Sequence, residues 1–459
     1  MRQSFLLLTF VALLFLGMSG TARAVTITTA GPAGMGTTDG SSTLELWLKA
    51  DTQVYSDLAG TTAATTVVRR WNDLSGNGRN AVYDLLTSGR EPTIVPGLVN
   101  GAPGINFTGG AINTGSRLNI ATNSYPMTGD ETAFFSLDFD PAMGCCRGIL
   151  SGNDSPNRAY AGGSTGMFAG GGANGFSYAG LYRVNSVQTN SVVTGFQTIT
   201  GFDNPTSAGS VTLRLGSGHG GNPDFGGRMT EVILFSNELN TAQQLIQENY
   251  LSARHNTGGT VVAVVNNTLG VNDHYAGDLA SNGNYDYEVF GIGQTSSGVN
   301  HLSGGNAGFG LEATSLDDNE WLMAGHDVTV NSLITTNDNN PDTVTQRWNR
   351  AWYVDKTGTL SATLAFDFQD AGLLQPAAGT TYQLLYSADS NFSDGFQTLA
   401  QTNAINSGTV AFTLANAQLL DGYYTLGLIS IVPEPNSMFL LVGVLGCTLL
   451  RRRAKRQAA

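Results

Sequence analysis

Residues 225–255 read FGGRMTEVILFSNELNTAQQLIQENYLSARH, a strand pattern that turns into a helix pattern. In MTEVILF the side chains of Met229, Glu231, Ile233 and Phe235 alternate with those of Thr230, Val232 and Leu234, the period of two that a strand imposes. Five residues beyond Phe235, the period changes. Asn240 can cap a helix whose third residue, Gln243, reaches back to it, and Ala242, Leu245, Ile246, Tyr250 and Ala253 form one apolar stripe. Gly258-Gly259 then stops the helix.

Strand patterns dominate on both sides of this helix. Upstream, Leu44, Leu46 and Leu48 alternate with Glu45, Trp47 and Lys49, and Val211, Leu213 and Leu215 repeat the pattern. Downstream, RWNRAWYV sets Trp348, Arg350, Trp352 and Val354 against Arg347, Asn349, Ala351 and Tyr353. TLSATLAFDFQD places Leu360, Ala362, Leu364, Phe366 and Phe368 on one face, and TYQLLYS, TVAFTLA and GYYTLGLIS are three further short strands. Fifty-nine glycines in 459 residues, with only 12% of residues charged, supply turns between many strands. The expectation is an all-β chain of two domains, residues 41–259 and 260–431, each a β-sandwich.

LELWLKAD near the start, WNDLSGNGRNA at Trp71–Ala81, NGAPGINFTG at Asn100–Gly109 and the stretch 225–255 together resemble the LamG-like, concanavalin A-like jelly rolls of bacterial surface proteins. The resemblance implies two antiparallel sheets packed face to face, on a scaffold widely used to bind glycans or proteins. YDYEVFGIGQ, WLMAGHD and RWNRAWYV are similar to an uncharacterised domain that accompanies jelly rolls in exported bacterial proteins, which implies a fold and no activity.

The ends predict where the chain goes. Arg2, the apolar run Phe5–Leu16 and the small residues Ala22 and Ala24 around Arg23 form a secretion signal over residues 1–24, cut by signal peptidase before Val25. At the other end, Val432-Pro433-Glu434-Pro435 is stiff and extended because both prolines fix φ. Met438–Leu450 is apolar or small throughout. A transmembrane helix from Asn436 would be about 22 Å long, short of a ~30 Å hydrocarbon core. Arg451, Arg452, Arg453, Lys455 and Arg456 hold their end inside the cell.

Pro433, Glu434, Pro435, the apolar stretch and Arg451–Arg453 resemble, in that order, the PEP-CTERM sorting signal of Gram-negative bacteria, residues 432–459. The resemblance implies processing by an exosortase after transient anchoring in the inner membrane, and delivery to the cell surface or exopolysaccharide matrix.

Seven of the 22 basic residues lie in the two ends, so the body between the two apolar segments, residues 25–435, carries 15 basic against 35 acidic residues, a formal charge of −20. Such a surface repels nucleic acid and anionic lipid, which removes both as partners and leaves extracellular polysaccharide or surface protein. The G-x-S-x-G at Gly162–Gly166 and the G-x-G-x-x-G at Gly216–Gly221 sit in glycine-rich turns, not at a strand-to-helix elbow or before a helix. The E-x-D-x-E run of jelly-roll glucanases is absent. A structural or adhesive protein is therefore expected, with a polysaccharide-active hydrolase or lyase as the alternative.

No cofactor is expected, apart from calcium at two loops that cluster hard oxygen donors: Asp73 with Asn77, and Asp338, Asn340 and Asp342. For Asp73 the other reading is a carboxylate that caps its own turn while Gly76 and Gly78 take positive φ. Cys145 and Cys146 can form a vicinal disulfide or stay as thiols. Trp71, Tyr83, Phe176 and Tyr182 are candidate sugar-stacking platforms, whereas Trp348 and Trp352 read as core.

Overall fold

A computed structural model describes residues 30–83, 89–111, 113–120, 125–127, 131–144, 147–152, 159–163, 166–169, 182–189, 191–192, 195–202, 209–211, 213–217, 223–255, 270–335, 344–390, 392 and 395–429. The chain is predominantly β, with several sheets and one α-helix, α1 (Thr241–His255), among these residues. Among the described residues, the named strands pair antiparallel. No described helix is long and apolar enough to cross a membrane. The proposed membrane segment, like Ala22, Ala24, Pro433, Glu434, Pro435 and Arg451–Arg453, lies outside the described residues.

The N-terminal half holds two eight-stranded sheets. At the centre of one runs the strand Gly227–Phe235, with Thr132–Phe139 along one side. Its other side pairs first with Ala102–Phe107 and then with Leu44–Lys49. The facing sheet includes Arg147–Gly152, Leu213–Leu215, Leu118–Ile120, Ala81–Val82 and Arg70–Trp71. Between the two sheets lies a core with Leu46, Leu48, Trp71, Ile105, Leu118, Phe135, Ile149, Leu215 and Phe225.

The C-terminal half repeats the principle with a nine-stranded and a four-stranded sheet. Their shared core holds Phe290, Ile292, Leu322, Trp348, Trp352 and Tyr424 from one sheet and Phe309, Leu364, Phe366 and Phe412 from the other. The expected apolar face Leu360, Ala362, Leu364, Phe366 and Phe368 is wholly part of this core. RWNRAWYV is not one strand, however. It breaks into Gln346–Trp348 and Trp352–Thr357, which lie end to end along Gly422–Ile429.

A third core joins the halves. Ala242, Leu245, Ile246, Tyr250 and Ala253 of α1 pack with Phe134, Ile233 and Phe235 of the N-terminal sheet, and with Val289, Trp321, Met323, Tyr353 and Leu385 of the C-terminal sheet. The layers therefore run sheet, core, sheet, helix-bearing core, sheet, core, sheet.

This burial on two sides corrects two strand readings. Leu44 does not share a face with Leu46 and Leu48: the register shifts between Leu44 and Leu46, and Leu44 turns into the helix core. The register of Gly227–Phe235 shifts likewise between Met229 and Glu231. Met229 joins Val232 and Leu234 in the sandwich core, while Ile233 and Phe235 face the helix. A bulge inserts one residue and so exchanges the faces on either side of it.

Candidate functional site

The capping of α1 follows the sequence pattern. Gln243 N–H donates to Asn240 Oδ1 at 3.1 Å, and Asn240 N–H donates to Gln243 Oε1 at 3.0 Å, which satisfies two of the donors a helix start leaves unpaired. Asn240 also donates from Nδ2 to the Asn300 carbonyl (2.9 Å), tying the helix start to the C-terminal half.

The polar side of α1, which amphipathic logic assigns to solvent, is buried as well. Gln244, Gln247, Glu248, Asn249, Arg254 and His255 are all buried. Glu231 on the adjacent strand is 1% exposed and accepts from the Tyr250 hydroxyl (2.7 Å) and from Trp47 Nε1 (2.6 Å). Burial, together with Glu231, holds the Tyr250 phenol well above its ordinary range. His255 Nε2 lies 3.2 Å from Thr230 Oγ1, and burial lowers its proton affinity. Glu248 is fully buried, 3.0 Å from Arg183, and accepts from Thr200 Oγ1 (2.6 Å). Burial pushes its carboxyl up to about 7, against the pull of Arg183.

Further links cross between the halves. Arg254 pairs with Asp51 and lies over the Tyr287 ring at 4.3 Å, and its carbonyl accepts from Asn100 Nδ2, which also bonds Asp286. Asn249 Nδ2 donates to the Asn272 carbonyl (2.9 Å), while its Oδ1 accepts from His274 N–H (2.8 Å).

At this seam opens a cleft of about 610 Å³, within the ~300–1,000 Å³ range of small-ligand sites. Arg183, Ser186 and Gln188 of the N-terminal sheet line one wall, and Glu238, Thr241, Gln244 and Leu245 bring in the start of α1. The C-terminal half contributes Val271, Asn272, His274, Thr295, Asn319 and Trp321. His274 lies flat on Trp321, with centroids 4.1 Å apart and planes 10° from parallel. Burial lowers the His274 pKa to about 4, so the ring is neutral at neutral pH. Among the described residues, Glu238 is the one carboxylate in the lining.

The residues singled out from sequence fall elsewhere. Asp73 Oδ1 accepts from Trp47 N–H (3.0 Å) and Ser75 N–H (2.9 Å); Oδ2 accepts from Ser75 Oγ (2.8 Å) and Arg79 N–H (2.9 Å). Asn77 Nδ2 donates to the Leu44 carbonyl (2.9 Å), and Gly76 and Gly78 take φ of +85° and +69°. These are the bonds of a carboxylate that organises its own turn. No group of three or more His, Cys, Asp and Glu is placed to hold a metal among the described residues. Asp338, Asn340, Asp342, Cys145, Cys146 and Phe176 lie outside them. Trp71, Tyr83 and Tyr182 are not platforms: at 0%, 4% and 3% exposure they belong to the sandwich core, where large apolar rings gain most.

Sequence reasoning missed the cleft because its walls come from five separate stretches of the chain, none with a motif. The one available signal was the polar face of α1, too rich in amides for an ordinary solvated face.

No curated protein matches the chain. The family model of a domain of unknown function, DUF8202, matches residues 272–422, the segment that begins at the cleft residue Asn272 and carries most of the C-terminal sheet pair.

Proposed function

We propose that this chain is an exported, non-enzymatic protein of the cell surface or extracellular matrix, delivered through a PEP-CTERM signal after exosortase processing. Its body is a concanavalin A-like jelly roll followed by a second β-sandwich, and it adheres by weak contacts to polysaccharide or surface protein. The secretion signal, the Pro-Glu-Pro strip, the apolar stretch and the arginine cluster support the route; the −20 charge of the body supports a partner other than nucleic acid or anionic lipid.

One observation favours binding over turnover. Glycoside hydrolysis needs two carboxyl groups about 5 to 9 Å apart across the bond, and the described lining of the cleft offers Glu238 alone. The test is fractionation of the producing cells, combined with retention of the purified chain on isolated matrix. Recovery in the surface or matrix fraction, with retention and no release of reducing sugar, is the expected result. A chain found only in the cytosol and not retained on matrix overturns the reading.

A further inference from the structure

The geometry points to the cleft between the two sheet pairs as the binding site for a neutral oligosaccharide segment, held by both halves of the chain at once. This inference rests on the adhesive reading above and adds to it a place and a ligand class.

Charge selects the class. Arg183 turns its guanidinium inward, with one nitrogen 3.0 Å from Glu248 Oε2 and 3.0 Å from the Ser186 carbonyl. Its charge is thus spent on the protein wherever Glu248 is ionised. Glu238, at the exposed rim, is then the remaining charge in a body that is itself acidic. A uronate, phosphate or sulfate entering the cleft meets net repulsion, with no cation offered to it among the described residues. The N-terminus of α1 does not alter this, because Asn240 already caps it.

The lining selects the chemistry. Thr241 and Asn319 both line the cleft, one from each half, and among the described residues neither side chain makes a hydrogen bond. A hydroxyl and an amide both donate and accept, which suits the hydroxyls of a sugar. His274 on Trp321 adds a flat, uncharged wall against which the C–H face of a ring can lie. Apolar lining is limited to Leu245, Val271 and the buried Trp321, too little to anchor a peptide side chain.

The test uses the full chain in detergent, at pH 8 so that Glu248 is ionised, titrated calorimetrically with cellopentaose, maltopentaose and mannopentaose, and with pentagalacturonate as the acidic probe. At least one neutral probe is expected to bind and the acidic one not. Asn319→Gly, which keeps the positive φ of that turn, and Thr241→Ala should each weaken binding by about threefold to tenfold, the worth of one hydrogen bond. Thr241→Trp, which fills the mouth, should abolish it.

Binding unchanged in Thr241→Trp overturns the assignment of the site and leaves the adhesive reading standing. Preference for pentagalacturonate overturns the ligand class. Retention on matrix without binding of any pentasaccharide, or retention lost when the matrix is treated with protease, overturns the oligosaccharide and points to a protein partner. Loss of both matrix retention and sugar binding overturns the adhesive reading itself.

Discussion

The Tyr250 hydroxyl donates to the Glu231 carboxylate at 2.7 Å across the boundary between a sheet and the helix that covers it, and both residues are at most 2% exposed. A carboxylate buried this deeply is tolerated only because donors surround it, Trp47 Nε1 being the other close one. Tyr250→Phe removes a donor and leaves the charge. It should cost about 1–3 kcal/mol in chemical denaturation. Glu231→Gln keeps an acceptor for Trp47 and Tyr250 and should cost less. Equal costs for the two variants would mean that the network is not what Tyr250 contributes.

The helix packs into both halves, so the halves should unfold together. Ile246 is fully buried in the core that α1 shares with the two sheets. Ile246→Ala should destabilise the whole chain by about 2–5 kcal/mol and lower a single calorimetric transition. Two separate transitions, only one of them shifted, would contradict a shared core.

The Asp73 turn should prove structural. Gly76 has φ +85°, and a Cβ there would meet the Thr38 carbonyl oxygen at 2.4 Å and the Gly40 nitrogen at 2.5 Å, both backbone. Gly76→Ala should therefore destabilise by more than the ~1 kcal/mol of an ordinary left-handed glycine. Asp73→Ala, which strips the acceptor from four donors, should lower the melting temperature equally with and without EDTA. A loss seen only in the presence of calcium would restore the metal reading of Asp73 and Asn77.

Two pairs of buried groups should oppose each other as pH falls. Burial raises Asp273 and Asp355 to about 6, Asp355 with help from the nearby Asp421 and Asp273 charges. The folded state holds these protons more tightly than the unfolded one. Their contribution is complete below pH 3.8 and is lost as pH rises through 6. His274 and His301, lowered to about 4 by burial, contribute above pH 6.5 and lose that contribution as pH falls through 4. Asp355→Asn, whose carbonyl can still accept from Ala276 N–H, should make the melting temperature fall more steeply between pH 6.5 and 4.5. His301→Gln should make it fall less, each change corresponding to a stability difference on the order of 2 kcal/mol. A steeper fall in the histidine variant would reverse the assignment.

Much of the fold was legible because local chemistry and packing agree. The Asn240–Gln243 capping box, the face Leu360 to Phe368 and the core placement of Trp348 and Trp352 were all readable from residue type and spacing. The bulges at Glu45 and Thr230 were not, since nothing in LELWLKAD or MTEVILF marks an extra residue. Apolar side chains on both faces read as ordinary alternation when the second face is covered by a distant helix. Tyr83 and Tyr182 were misplaced for the same reason: a sequence shows an amphipathic ring but not which side of a sheet it enters. Beyond the amide-rich polar face of α1, nothing pointed to the cleft, because Arg183, Thr241, His274 and Asn319 come to line one space only after the two halves dock.

The claim beneath the functional reading is that an acidic, sheet-built body is exported and trimmed at both ends. Intact mass measurement of the chain recovered from its producing cells tests this most directly. The account predicts a chain in the surface or matrix fraction that starts at Val25 and lacks residues 436–459. One soluble cytosolic molecule running from Met1 to Ala459 would contradict it.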